Sequence, residues 1–553
     1  PESGAKLASG LLPACYHPVV ARDRVDGDAA SAPDPAGRGG EAECRFERPA
    51  GTTRAGRWRD PLEGYFHTDD LREDLRRRSV RAGLLTFVSI GGRFALVVGS
   101  TMILARLLTP RDFGLVAMVA SVTGFVAIVR DFGLSTAAVQ SERLDHPSAS
   151  SLFWVNVFVA LSLAILTALA APLIARIFRE PKLTAIGVAM GGLTFIEGLA
   201  AQHQALLRRR MRFGALTACE VGSLGAGVVA AVILAHQGAR YWSLVLLRFV
   251  AASVQAALLW SLCRWRPSAT FRFEEVRAFL GFGGRLTASR FVRYISRNAD
   301  RFLVGRVLGA GVLGLYSKAC GWLAAPFQLA SWPVGRVAVP VLSRLQGEPA
   351  RFRTYFRTGL AILASLGVPV IVFFFIDASE VILLLLGPQW TPAIPIFRLL
   401  APVALAALFQ MGFHWCFVSL GRADRQLRWE LVSAAVTVAA FAVGLGWGAV
   451  GVAAAYSVAS LLLLPPGVLY CFRGTPLRPV DLLHVFGRPA AGSLGAAGVL
   501  LLFKSGVRLE SLPAAAVLHA LLFGIGYAAL WVLLPGGNRA AREYIRIGRE
   551  FRG

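Results

Sequence analysis

From residue 83 to residue 534 the chain alternates long apolar runs with short charged ones. Fourteen runs reach the length of a membrane-spanning helix, about 20 residues. They lie near 83–108, 113–138, 151–178, 184–206, 214–236, 241–262, 281–308, 312–340, 355–377, 394–419, 428–446, 449–472, 487–504 and 512–534. The segments between them alternate in charge. One set holds RRR at Arg76–Arg78, RRRMR at Arg208–Arg212, RFRTYFR at Arg351–Arg357 and GRADRQLR at Gly421–Arg428, whereas the other holds TPRDFG, LGAGVLG and GPQWTPAIP. Lys and Arg favour the first set by about three to one, which places that set and both termini in the cytoplasm and makes the number of crossings even.

The runs also repeat at an offset of 200 residues: Gly83 with Gly283, Arg93 with Arg293, Arg106 with Arg306, Leu108 with Leu308, and Gly114–Leu115 with Gly314–Leu315. These matches pair the first run with the seventh in the same orientation, the pattern of two parallel six-helix lobes around a central cavity. The expected architecture is therefore an all-α polytopic membrane protein. Its N-lobe covers 83–262, a cytoplasmic linker 263–280, its C-lobe 281–472, two further helices 473–534, and a basic cytoplasmic tail 535–553. Residues 1–65 are rich in Gly, Pro, Ala and charge and poor in large aliphatics, a composition that buries no core and reads as a disordered extension. Residues 66–82 read as an amphipathic lead-in.

Composition agrees with a membrane protein. Hydrophobic residues make up 55% and charged residues 16%, against about a quarter charged in soluble domains. The net charge of +25 sits mainly between the apolar runs, where topology explains it, so nucleic acid is not an expected partner. Seven cysteines (Cys15, Cys44, Cys219, Cys263, Cys320, Cys416 and Cys471) form no CxxC pair and no metal-ligand spacing. No P-loop, HExxH or GxSxG motif is present. The chain reads as a transporter rather than an enzyme, with no cofactor or metal expected.

The seventh run carries the most informative chemistry. At about 100° per residue, Arg290, Arg293, Arg297 and Arg301 share one helical face, with Tyr294 and Asn298 at its edge. Four arginines facing lipid would cost about 10 kcal/mol, so the column is expected to line a cavity. Guanidinium forks there suit a phosphate-bearing anion. Arg93 in the first run, on a face with Thr86, Ser89 and Ser100, is the repeat partner of Arg293 and joins this candidate site. Tyr294 and Asn298 are candidates to stack on or hydrogen-bond a polar head group. Intramembrane carboxylates are few, and Glu197, Glu220 and Asp300 are the candidates for ion coupling; Asp300 has an equal claim as a neutraliser of the column. Arg130 and Asp131 form a candidate local ion pair, and His414 with Gln410 is either a proton relay or a hydrogen-bonded buried pair. The GxxxG sequences at Gly187–Gly191 and Gly444–Gly448 point to close helix packing.

Three segments carry a resemblance. Ile103–Gln140, Arg297–Ala319 and Gly387–Pro402 are similar to the signature segments of oligosaccharide flippases of the Wzx type, over about residues 80 to 475. That family belongs to the multidrug/oligosaccharidyl-lipid/polysaccharide exporter superfamily, with multidrug antiporters and the peptidoglycan-precursor flippase. The resemblance implies transfer of an undecaprenyl-pyrophosphate-linked oligosaccharide across the bacterial inner membrane by alternating access of two lobes. The glycan would serve lipopolysaccharide or exopolysaccharide synthesis, beside a polymerase and a chain-length regulator. The arginine column would hold the pyrophosphate. The alternatives are a small-molecule antiporter, which for cationic drugs calls for carboxylates where this chain has arginines, and a membrane glycosyltransferase or polymerase. Neither the glycan's identity nor the coupling ion follows from the sequence.

Overall fold

A computed structural model describes residues 75–131, 138–139, 144–269, 273–507 and 509–534 of the 553. Within its helices, the side chains at 75–90, 128, 131, 273–293, 295–297, 327–333 and 336 lie outside the description. Every regular element among the described residues is helical, because an apolar segment in lipid satisfies its backbone polar groups by pairing them internally. The first six helices are α1 (Leu75–Leu107), α2 (Pro110–Asp131), α3 (His146–Phe178), α4 (Lys182–Arg209), α5 (Phe213–His236) and α6 (Tyr241–Leu262).

The run Phe273–Arg344 then breaks at Gly309, whose φ of 84° and ψ of 176° are not helical. The Tyr316 hydroxyl donates to Asp300 Oδ2 at 3.1 Å. In a straight helix residues so far apart in sequence would stand about 24 Å apart, so the chain turns back at Gly309 and makes two helices, α7 (273–308) and α8 (310–344). Only glycine takes that φ without strain. The remaining helices are α9 (Pro349–Ile376), α10 (Ala378–Leu386), α11 (Ala393–Ser419), α12 (Ala423–Gly444), α13 (Gly448–Leu462), α14 (Leu464–Phe472), α15 (Pro479–Gly506) and α16 (Leu512–Leu533).

Eleven stretches among the described residues are long and apolar enough to cross a membrane. Two of them contain a chain reversal, at Gly309 and at Gly448 (φ 70°), and so are each shared between two crossing helices. With α1, 33 residues long, these account for the fourteen expected helices.

Helix pairing repeats between the two halves. In the first half α1 packs on α5, α2 on α3, α3 on α4, α4 on α6, and α5 on α6. In the second, the α7–α8 hairpin packs on α12 and α9, α9 on α11, α11 on α13, and α12 on α13. This is the internal repeat of the sequence expressed as packing. Helices α15 and α16 stand outside it: α15 lies on α9 and α16, and α16 also touches α10.

Small residues set the close approaches, as expected where lipid supplies no hydrophobic drive between helices. A Cβ on Gly187 would lie 2.6 Å from the Ala171 Cβ, and one on Gly191 2.7 Å from the Ala164 carbonyl, so the first GxxxG motif is a packing seam between α3 and α4. The second divides its roles. Gly444 packs on the backbone of Gly451 and Val452, whereas Gly448 is the turn residue between α12 and α13.

The halves meet at the end opposite the basic segments. There a Cβ on Gly114 would overlap the carbonyl oxygen of Ala310, and a Cβ on Gly314 would overlap that of Pro110. The segment after α10 buttons onto the end of α1. Trp390 Nε1 donates to the Ala105 carbonyl at 2.9 Å, Gln389 Nε2 to that of Leu108 at 3.1 Å, and Arg106 to that of Leu384 at 2.8 Å. Trp390 is fully buried, edge-on to Phe113 at 5.5 Å, and the Lys318 ammonium sits 4.1 Å from the other side chain of this group, the Phe113 ring.

Candidate functional site

Within the second half, α7, α8, α11, α12 and α13 border a half-open cavity of about 1100 Å³. Helix α12 gives it a polar wall: Gln426, Glu430, Ser433 and Thr437 are spaced so that all four fall on one helical face. Gln426 Nε2 stands 3.0 Å from His414 Nδ1 on α11 and 2.8 Å from Glu430 Oε1. Helix α7 supplies the facing wall with Asn298, Asp300 and Arg301. Gln410, Trp429 and Tyr456 also border the space.

The structure places the members of the arginine column differently. Arg301 lines the cavity, and its Nη1 donates to Asn298 Oδ1 at 3.0 Å, while Asn298 Nδ2 donates to the Tyr294 carbonyl at 3.0 Å. The backbone of Arg290, Arg293 and Arg297 is helical within α7, and their side chains lie outside the description. The Tyr294 hydroxyl lies 2.8 Å from the Ala120 carbonyl and 3.1 Å from that of Ser121, so it ties α7 to α2. Gly124 makes room for it, since a Cβ there would meet that hydroxyl.

Arg93 is 61% exposed near the middle of α1 and pairs with Glu220 on α5 at 3.4 Å. An arginine exposed at that depth faces water, because lipid there would cost about 2.5–3.5 kcal/mol. Glu197 on α4 is bound by Arg130, which reaches across from α2. Both candidate coupling carboxylates of the first half thus carry an arginine partner. Asp300 is 7% exposed; its Oδ2 accepts from Tyr316, and its Oδ1 has no hydrogen-bond partner among the described residues. Arg301 Nε is likewise without one. His414 is bonded to Gln426.

Two polar groups escaped the sequence reading. The stripe on α12 was legible in principle as four polar residues at helical spacing in an apolar run. The second is a charge cluster joining distant segments. Lys504 Nζ on α15 lies 2.9 Å from Asp377 Oδ1 and 2.7 Å from Glu380 Oε1, and His519 Nδ1 on α16 lies 2.9 Å from Asp377 Oδ1. Asp377 is fully buried. Burial pushes its carboxyl above the ordinary carboxylate range, with Lys504 opposing. At Glu380 burial also acts upward, but the Lys504 hydrogen bond and charge outweigh it and hold the carboxyl low. Oxygens of Asp377 and Glu380 and a nitrogen of His519 converge within 4.8 Å, a spacing that would suit a metal. The ammonium of Lys504 already stands between the two carboxylates as their cation, so this donor set reads as an ion-pair anchor for α15 and α16.

With this geometry in place, the likeness to known proteins is specific. Residues 103–395 match the family described as polysaccharide biosynthesis protein. The chain is 22% identical over 367 residues to the lipopolysaccharide biosynthesis protein WzxC of Escherichia coli (strain K12), covering 65% of this chain and 74% of that one. It is 28% identical over 353 residues to the succinoglycan biosynthesis transport protein ExoT of Rhizobium meliloti (strain 1021), covering 64% and 72%. Among solved structures it superposes on the lipid II flippase MurJ in an inward closed conformation with a TM-score of 0.64 at 14% identity, covering 82% of this chain and 98% of that one.

Proposed function

The chain belongs to the polysaccharide biosynthesis protein family, and from that premise we propose that it is a flippase that carries an undecaprenyl-pyrophosphate-linked oligosaccharide across the bacterial inner membrane. The observation that carries this reading is a cavity among membrane helices whose wall combines apolar side chains with Arg301, Asp300, Glu430 and several uncharged polar groups. Ionisable groups inside a membrane are costly, and substrate pathways are one of the uses that retain them. The relatives named for lipopolysaccharide and succinoglycan biosynthesis supply the class of cargo.

The basic segments face the cytoplasm in this reading, so the closed end formed by Gly114, Gly314 and Trp390 faces the periplasm. Cargo then enters from the cytoplasmic leaflet, with its pyrophosphate on the arginines of α7 and on Arg93. Arginine suits this role because its fork donates two parallel hydrogen bonds to a phosphate. Release follows when the halves part at the glycine contact and close at the basic end.

Proteoliposomes holding a fluorescent undecaprenyl-pyrophosphate glycan in both leaflets test the reading. The expected result is protein-dependent loss of outer-leaflet signal when an impermeant quencher is added, beyond the half quenched in empty vesicles. Transfer no faster than in empty vesicles excludes a flippase, and release of free sugar without transfer makes the protein an enzyme.

A further inference from the structure

We propose that the cavity bordered by α7, α8, α11, α12 and α13 binds the sugar head of the cargo, and that Gln410, Gln426 and Glu430 select it. This rests on the flippase reading and extends it by assigning the glycan a place apart from the pyrophosphate.

Size is the first argument. At about 1100 Å³ the cavity reaches the upper end of small-molecule sites, about 300–1,000 Å³. It takes several sugar rings, and it is far larger than a dehydrated ion requires.

The second is the kind of group that lines it. A sugar hydroxyl donates one hydrogen bond and accepts others, so its complement is a wall mixing donors and acceptors. The side-chain amide of Gln410 provides both, Gln426 keeps its Oε1 as an acceptor, Glu430 accepts, and Ser433 and Thr437 add hydroxyls on the same side. Trp429 gives the wall an apolar face of the kind that covers a ring's C–H groups. The amide of Gln426 is already held between His414 and Glu430, so its orientation is fixed before any ligand arrives.

A small cation is the competing occupant, and the geometry disfavours it. A cation needs oxygens converging at short range. Among the described residues the group of carboxylates and histidine that converges within 4.8 Å is Asp377, Glu380 and His519, and the cavity's own Asp300, His414 and Glu430 form no such group. Their spread fits a ligand that spans the space.

Third, the α7 wall presents Asn298 and Arg301 to the space. Arg301 is also the last member of the arginine column, so the pyrophosphate side and the sugar side share one helix.

The test measures binding of four lipids to the purified full-length protein in nanodiscs. They are bare undecaprenyl pyrophosphate and the same lipid carrying a hexose, an N-acetylhexosamine or a uronic acid. The wild type is expected to bind at least one sugar-bearing lipid about tenfold more tightly than the bare one, the gain that one or two net hydrogen bonds supply. Gln410→Ala, Gln426→Ala and Glu430→Gln should each erase most of that preference while binding bare lipid as the wild type does, which also shows that they are folded. Gln426→Asn, one methylene shorter, should lose part of it. Variants that keep the full preference, or a wild type that prefers none of the three sugars, overturn the sugar site and leave the flippase reading standing. A wild type that binds none of the four lipids overturns that reading itself. A sodium-dependent rise in melting temperature that Glu430→Gln abolishes, with sugar preference intact, assigns the cavity to a cation instead.

Discussion

Gly114 and Gly314 stand 200 residues apart, and each packs against the carbonyl that opens the other's helix: Gly114 on Ala310, and Gly314 on Pro110. The contact is reciprocal, as across a two-fold axis, and it explains why the repeat keeps glycine at both positions. With no Cβ on either side, the two backbones seal that end directly.

Gly114→Ala and Gly314→Ala should therefore hold the halves apart at that end. Alanine in a free helix stabilises by about 1 kcal/mol relative to glycine, so a loss of function cannot come from helix formation. The expected outcome is glycan export at least tenfold below wild type at matched membrane abundance. A cysteine placed at Ala117 should at the same time react faster with an impermeant thiol reagent added from the periplasm. Normal export by both variants would remove the seal from the mechanism.

Tyr294 ties α7 to α2 by one hydrogen bond, worth about 1 kcal/mol. If that is its role, Tyr294→Phe keeps lipid binding and lowers the melting temperature of the purified protein by a few degrees. If the hydroxyl serves the cargo instead, the same variant weakens binding of sugar-bearing lipid and leaves melting unchanged. The two readouts separate the roles.

Lys504 is the cation between Asp377 and Glu380. Lys504→Met leaves the buried Asp377 and the half-buried Glu380 facing each other with only His519 on Asp377, and the partial exposure of Glu380 and Lys504 keeps the cost below the ~3–5 kcal/mol of a fully buried pair. The pH dependence has a definite sign. Glu380 is held below its ordinary value of 4.5, so its contribution is present above that pH and is lost as the pH falls through the lowered value. Asp377 is raised above 3.8, so it contributes below that pH and loses its contribution as the pH rises through the raised value. Removing the ammonium raises both, which makes the variant bind protons that the wild type does not. Its melting deficit should be largest near pH 7 and shrink toward pH 5. A deficit that does not change with pH would mean that Lys504 contributes by packing alone.

Much of the fold was legible because lipid leaves the chain few choices. An apolar run must be helical, charge on the connections sets orientation, and the 200-residue repeat reappears as repeated pairing of helices. The similar segments Ile103–Gln140, Arg297–Ala319 and Gly387–Pro402 turn out to share one place, where Phe113, Gly114, Gly314 and Trp390 meet. Partners were harder to read. Arg130 binds Glu197 on α4, a partner 67 residues on that no local pattern announces, and the side chain of its expected partner Asp131 lies outside the described residues. Asp377 lies more than a hundred residues before Lys504 and His519, and no local pattern connects it to them. The α12 stripe was missed because its start, Gln426, lies within the charged run GRADRQLR and read as part of a connection.

Arg93 and Glu220 offer the sharpest test of how the cargo's charge is handled. Arg93 is 61% exposed and Glu220 32%, so the pair is wet and its net worth is at most about 1 kcal/mol. A pyrophosphate competes well with one such carboxylate, because charge-assisted bonds to phosphate contribute about 1.5–3 kcal/mol. Glu220 then acts as a placeholder that keeps Arg93 in position until the cargo arrives. On this account Glu220→Gln frees Arg93 and tightens binding of bare undecaprenyl pyrophosphate by severalfold, while Arg93→Ala weakens it by about tenfold. Arg93→Lys should restore only part of the loss, since an ammonium keeps the charge and lacks the fork. Glu220 as a proton carrier predicts something different. Glu220→Gln would then bind lipid as the wild type does, yet transport in proteoliposomes would no longer respond to an imposed pH gradient. Binding and gradient response measured on the same preparation decide between the two, and Glu197→Gln, whose arginine comes from α2, serves as the matched comparison.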